Sequence, residues 1–298
     1  MPGAPLDEGL TDTSPALAQR GKDNCADVVT DAVAKGRLAT AQGQQLLSRI
    51  TPTADVADAC GAQLLIEAVF EDAAIKAEAL ATIEPHLTSN ALLASNTSTL
   101  PITDVARNVS SPSAFIGLHF FSPVHKMSLI EVIKGQRTSA GTLHRALGVA
   151  RLLKKTAMVV NDSHGFFTSR VIRTFNDEGL RMLAEGVPPA SIEDACHQAG
   201  YPTPVLQLSD ELNLQLMRRI RAAASDTATS VAVRVINRMI DEHGRAGRQA
   251  GAWHRLPAVD RGPPSSTSTD TPAARPGSSP ALGIWRSPTA IGSSRLRR

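Results

Sequence analysis

Two short apolar runs constrain this chain more than any other feature. Ala62-Gln-Leu-Leu-Ile-Glu-Ala-Val-Phe70 and Asn90-Ala-Leu-Leu-Ala-Ser95 are too short for a confident helix and too apolar to turn one face to water. Runs of that kind read as strands buried on both faces, as in parallel sheets covered by helices. Between them, residues from about Ala73 to His86 read as an amphipathic helix, and Pro101 suits the first position of a short helix through Ala106. The alternation strand–helix–strand–helix predicts an α/β fold with a parallel sheet.

The stretch from Gly117 to Ile133 predicts a hairpin that closes this sheet. Two apolar runs flank Ser122-Pro-Val-His-Lys126, and a hairpin centred on His125 sets His119 opposite Glu131. An imidazole facing a carboxylate is a way to build a general base that works near neutral pH. The same spacing also fits a hairpin with one satisfied histidine and one solvated glutamate.

Upstream, helices are predicted over about Asp23–Lys35 and Ala39–Ile50, after a proline- and glycine-bearing start (residues 1–16) that reads as disordered. The partial nucleotide-type domain then runs over residues 17–160. From about Gly141 the texture changes. A helix over Leu143–Leu153 and a strand over Met158–Asn161 lead into helices at about Phe166–Glu185, Ser191–Ala199, Asn213–Ser225 and Ala228–His243. Residues 161–251 therefore read as a second, all-helical domain.

Past Gly251 the periodicity stops. The last 48 residues hold seven of the 19 prolines and both tryptophans, so residues 252–298 are expected to be a disordered tail. That tail carries seven arginines against two aspartates. The net charge of +3 is thus a property of the tail, and the rest of the chain sums to about −2. No basic face speaks for nucleic acid.

Other classes are excluded by simple counts. Apolar content of 42% supports a real core, but no apolar run is long enough to span a membrane. The first residues have no basic start and no apolar stretch, so they are not a secretory signal. Cys25, Cys60 and Cys196 are far apart and odd in number, which suits a reducing cytoplasm and makes no metal pattern. No metal is expected.

In open α/β sheets, ligands sit outside the carboxyl ends of the strands. Glu71 and Lys76 bracket one strand-to-helix turn, Asn96-Thr97-Ser98 follows the next strand, and His119 ends a third. Singly, each has a plainer explanation. Ser98 or Thr99 could cap the helix begun by Pro101, and Glu71 with Lys76 could be a surface pair worth little.

Together these residues resemble the 3-hydroxyacyl-CoA dehydrogenase family, in the form found in bacterial multifunctional fatty-acid oxidation proteins. The resemblance rests on Ile66-Glu-Ala-Val-Phe-Glu71, Ala94-Ser-Asn-Thr-Ser-Thr-Leu100, Gly117-Leu-His-Phe-Phe-Ser-Pro123 through Glu131-Val-Ile133, and Asp162-Ser-His-Gly-Phe-Phe-Thr-Ser-Arg-Val171, and covers about residues 17 to 251. It implies a Rossmann-like sheet, a helical C-terminal domain, and oxidation of (3S)-3-hydroxyacyl-CoA to 3-oxoacyl-CoA with NAD in fatty-acid β-oxidation. It implies His119 as the general base and Glu131 as the group that orients it. Ser98, Ser122 and Ser169 would meet the substrate. Val69, Phe70, Glu71, Lys76, Asn96 and Ser98 would line the cofactor. The helical domain would form a homodimer, or the chain would associate with a thiolase subunit.

The chain departs from the family pattern in three places. It contains no Gly-x-Gly-x-x-Gly turn, so the first βαβ unit is expected to be missing and the sheet incomplete; the N-terminus reads as truncated. Ser122 and Ser169 stand where the family usually has asparagine, and a serine offers one hydroxyl in place of an amide. The resemblance ends near Trp253, where composition switches as well, as a frame change would produce. A catalytically inactive remnant that binds only acyl-CoA or a partner subunit is therefore the alternative. A 2-hydroxyacid or sugar-nucleotide dehydrogenase would share the sheet but gives no reason for Gly-Leu-His-Phe-Phe-Ser-Pro.

Overall fold

The computed structural model describes residues 7–212, 214–223, 230–247 and 282–286. Apart from residues 282–286, the tail expected to be disordered lies outside the described residues, as do residues 1–6. The chain divides into two units, Met1–Phe167 with Ser278–Arg298, and Thr168–Gly277.

The first unit is built on one sheet. Its strands are β1 (Asp7–Thr11), β2 (Ile50–Thr53), β3 (Leu64–Glu67), β4 (Leu92–Ser95), β5 (Phe115–Phe120), β6 (Leu129–Lys134), β7 (Thr156–Asn161) and β8 (Leu282–Arg286), in the order β2-β1-β8-β3-β4-β5-β6-β7. Helices α1 (Pro15–Ala34), α2 (Thr40–Leu47), α3 (Ala73–Ile83), α4 (Ile102–Val105) and α5 (Ala140–Leu152) connect them. Strands β3, β4 and β5 pair in parallel, β5 and β6 form the antiparallel hairpin, and β6 and β7 are parallel.

Every residue of β3 and β4 is buried, as their composition demands. Because side chains alternate along a strand, the two faces fill separately. Leu65, Leu93, Phe115 and Ile133 pack with Leu80, Ile83, Ile102 and Val105 on the side of α3 and α4. Leu64, Ile66, Leu92, Ile116, Leu118 and Val132 pack with Ala146 and Ala150 on the side of α5. Gly117 makes this close approach feasible: a Cβ there would stand 2.8 Å from Ile102 and 2.9 Å from Ile133.

Several expectations are corrected. The start is not uniformly loose, because Asp7–Thr11 is strand β1, paired in parallel with β2. Strand β2 replaces the end of a predicted helix; its Pro52 is tolerated because β2 is the last strand of the sheet on that side. Helix α1 begins at Pro15 rather than near Asp23, with the Ser14 hydroxyl accepting from Leu17 N and proline in its first turn. Inside the expected tail, Leu282–Arg286 is strand β8. It runs antiparallel to both β1 and β3 and occupies the position between them, so no parallel strand lies there.

The second unit contains α6 (Thr168–Ala184), α7 (Pro189–Gln198), α8 (Val205–Glu211), α9 (Leu214–Ala223) and α10 (Val231–Asp241). Two apolar clusters hold it. Leu180, Leu214, Ala232 and Ile236 form one; Ile192, Cys196, Val205 and Leu206 form the other. Helix α8 was not anticipated after Tyr201-Pro-Thr-Pro204. Gly179 of α6 leaves room for Val205 at its start. Residues 161–167, assigned from sequence to the helical domain, belong to the sheet unit, to which Asn161 is paired in β7 and Gly165 N is bonded at the Thr99 carbonyl.

Candidate functional site

The carboxyl ends of β3, β4 and β5 carry the polar groups of the first unit. The hairpin register pairs His119 with Glu131 directly. His119 Nδ1 lies 2.9 Å from Glu131 Oε2, and Glu131 is fully buried. An ionised carboxylate can only accept, so the Nδ1 that faces it is the protonated nitrogen, and in the neutral ring the lone pair then falls on Nε2. The Phe121 ring lies 4.6 Å and the Phe166 ring 6.2 Å from the imidazole, which limits its rotation. Glu131 Oε1 accepts from the backbone N–H of Phe167 at 2.9 Å. The arrangement is a fixed imidazole with a buried carboxyl group behind it, which can accept a proton at Nε2 in its neutral form and, where the carboxyl is ionised, have the resulting charge offset.

The loop after β4 is gathered on one carboxylate oxygen. Glu71 Oε1 accepts from Thr97 Oγ1 at 2.7 Å, Ser98 N at 2.9 Å, Ser98 Oγ at 3.2 Å, Thr99 N at 2.9 Å and Thr99 Oγ1 at 2.8 Å. Its other oxygen lies 3.3 Å from the Lys76 ammonium. Burial pushes the Glu71 carboxyl up, but Lys76 and then the Thr97 and Thr99 donors outweigh it and hold the group below the usual carboxylate range.

Lys76 is 1% exposed, so it is no surface pair. Its ammonium also donates to Glu67 Oε1 at 2.9 Å and to the Val69 carbonyl at 3.2 Å. Glu67 is wholly buried and accepts further from Val69 N at 2.7 Å and Ser95 Oγ at 2.5 Å. Glu67, Lys76 and Glu71 thus form one buried network that joins β3, β4 and α3. Asn96 is half-buried, and its side-chain oxygen accepts from Phe120 N at 2.8 Å, tying β4 to the residue after His119.

Among the other sequence candidates, the backbone of Val69 serves the Glu67–Lys76 network, and Phe70 is 56% exposed at the same edge. Ser122 is exposed in the hairpin loop, which Lys155 Nζ anchors through the carbonyls of Val124 and Met127, both at 2.6 Å. Ser169 lies half-buried in the first turn of α6, in the second unit.

Sequence reasoning missed several contributors. Glu67 was readable as the lone acid inside a buried strand, which needs a partner. Thr97 and Thr99 act through hydroxyls, and Phe167 acts through its backbone, which leaves no mark in the sequence. Asp12 directly follows β1. It stands where parallel dinucleotide folds set an acid against the ribose hydroxyls.

The edge suits one part of a dinucleotide and lacks another. Asp12, Asn96 and Ser98 stand along this edge and are of the donor and acceptor types that a ribose and a nicotinamide amide pair with, while Glu71 there is already engaged by the Thr97–Thr99 loop and Lys76. A pyrophosphate would need a strand that leaves this edge into a helix N-terminus. The strand between β1 and β3 instead enters at this edge, with Leu282 opposite Thr11.

Comparison with known proteins gives the context. The family described as 3-hydroxyacyl-CoA dehydrogenase, NAD binding domain, matches residues 6–163, and the 3-hydroxyacyl-CoA dehydrogenase C-terminal domain matches residues 165–253. Similar solved structures include FadB2 of M. tuberculosis, at 28% identity and a TM-score of 0.76, covering 82% of this chain and 88% of that one. The (S)-3-hydroxybutyryl-CoA dehydrogenase PaaH1 of Ralstonia eutropha gives the same identity, TM-score and coverage. A 3-hydroxybutyryl-CoA dehydrogenase of Escherichia coli K12 is 26% identical with a TM-score of 0.77, covering 88% of this chain and 57% of that one. The alternative of an inactive remnant gains no support from these matches. No described helix is long and apolar enough to cross a membrane.

Proposed function

The chain belongs to the 3-hydroxyacyl-CoA dehydrogenase family of NAD-dependent oxidoreductases, and from that premise we propose that His119 is its general base and Glu131 the residue that positions and charges that base. The observation that carries this reading is the 2.9 Å contact between His119 Nδ1 and a fully buried Glu131. Nε2 takes the proton of the substrate's 3-hydroxyl. Glu131 holds the ring in the tautomer that leaves Nε2 free and offsets the imidazolium charge as it forms. When bound, NAD supplies the hydride acceptor.

Glu71 holds the Thr97–Thr99 loop and takes the Ser98 N–H and hydroxyl proton, so the Ser98 hydroxyl oxygen is presented as an acceptor from a fixed position. Ser98 and Ser122 contact the substrate's oxygen-bearing end. Asp12, Val69, Phe70, Glu71 and Asn96 line the cofactor's ribose and nicotinamide portions. Lys76 acts one step back, since its ammonium is engaged by Glu67, Val69 and Glu71. The two similar 3-hydroxybutyryl-CoA dehydrogenases, which act on a short-chain substrate, favour a short acyl chain here. A homodimer through the helical unit or, in its place, a thiolase partner, together with a cytoplasmic site of action, completes the reading.

Titration of NADH fluorescence on the purified chain tests it. Saturable binding together with turnover of 3-hydroxyacyl-CoA is the expected result. Absence of binding at millimolar cofactor would return the reading to the inert remnant.

A further inference from the structure

We propose that Asp162 is a positioning residue for the His119–Glu131 pair, acting through the turn at residues 165–167. The proposal rests on reading that pair as the base. Asp162 follows β7. Its two oxygens accept from Ile102 N at 2.8 Å and Thr103 N at 2.7 Å, in the first turn of α4. These bonds pin the segment after β7 to the segment after β4.

The chain then turns sharply. Gly165 has φ +69° and Phe166 has φ +44°. For a residue with a side chain the left-handed region is unfavourable, so the surroundings must hold it there. Three features do so. Asp162 fixes the entry to the turn, Gly165 N donates to the Thr99 carbonyl at 3.1 Å, and the Phe166 ring is buried in the core beside His119. The result is that Phe167 N points at Glu131 Oε1.

Glu131 is therefore held from two sides, by the imidazole and by this backbone N–H. Releasing the turn removes this donor and loosens the hold that keeps the carboxylate against Nδ1. The hydrogen bonds of Asp162 go to Ile102 N and Thr103 N and, among the described residues, none goes to the imidazole or Glu131, so its effect on the base passes through the turn. The Thr97–Thr99 loop keeps its own anchor on Glu71, so cofactor affinity is not expected to follow.

Asp162→Ala and Asp162→Asn test this. In the protein without substrate, amide exchange at Gly165 and Phe167 should accelerate in the alanine variant, while amides of β5 and β6 stay protected. The hydrogen-bonded Nδ1 proton of His119, read by NMR, should weaken or vanish. In turnover, kcat should fall on the order of tenfold, part of the roughly 10²–10⁴-fold a positioned base supplies, with KM for NAD changed less than about twofold. Asparagine keeps one acceptor oxygen and should recover part of each effect; it carries the test if the alanine variant does not fold. Accelerated exchange in the turn with wild-type kcat and an intact Nδ1 proton would overturn the proposal. So would unchanged exchange at Phe167. A wild type that is inert toward 3-hydroxyacyl-CoA, yet loses the Nδ1 proton in the variant, would support the positioning role and sink the substrate reading instead.

Discussion

Replacing Lys76 with methionine probes the buried network under the cofactor edge. Methionine is of similar length and removes the charge. The ammonium lies 2.9 Å from Glu67 and 3.3 Å from Glu71. Glu71 keeps its hydroxyl and amide donors and is partly open to water, so Glu67 sets the cost. Its carboxylate has no exposure at all. Left as an unpaired buried charge, it would cost about 3–5 kcal/mol. The alternative is to take up a proton. At about pH 7 that costs roughly 3.7 kcal/mol for a carboxyl of ordinary value, and about 1.4 kcal/mol less for each unit the pH is lowered. The cheaper route wins, so the variant should lose about 3–4 kcal/mol near pH 7 and only about 1 kcal/mol near pH 5. Urea unfolding followed by circular dichroism at both pH values measures this difference. Glu67→Gln in the same chain should recover most of the loss near neutral pH, because no buried charge then remains. A loss that is equal at both pH values, or no recovery in the double variant, would refute the reasoning.

Three further outcomes follow from the structure. Burial pushes the Glu8 carboxyl up to about 7. The folded state then prefers it neutral, so its penalty is absent below its ordinary value and grows as pH rises to about 7. Glu8→Gln should therefore stabilise the chain by up to about 3 kcal/mol near pH 8 and leave it unchanged near pH 4, as urea unfolding would show. Glu71 has the opposite sign. Its depressed carboxyl adds stability above the ordinary carboxylate value that is lost as pH falls, and Glu71→Gln should flatten the acid side of the stability curve. Gly117→Ala would press a methyl onto Ile102 and Ile133 and should cost about 1–3 kcal/mol by overpacking; an unchanged urea midpoint would contradict the close approach.

The dyad was legible because a hairpin has few registers. Symmetry about His125 paired His119 with Glu131, and the ladder has that pairing. Strands β3 and β4 were legible because double burial leaves an uninterrupted apolar run. Strand β1 was not, since Asp-Glu-Gly-Leu-Thr carries no strand pattern and is a strand only through its partners. The burial of Lys76 was not legible, because helical periodicity does not reveal that an ammonium can be buried between two acids. The role of Phe167 was invisible for a simpler reason: it is carried by a backbone N–H that every residue but proline possesses.

The central claim is that His119 removes the hydroxyl proton as NAD is reduced. Its most direct test is the rate of NADH formation from (3S)-3-hydroxybutyryl-CoA and NAD, in the wild type and in His119→Ala, with urea midpoints measured alongside. The account predicts turnover in the wild type and a loss of roughly 10²–10⁴-fold in the variant, with the midpoints alike. Equal rates in the two proteins would contradict it.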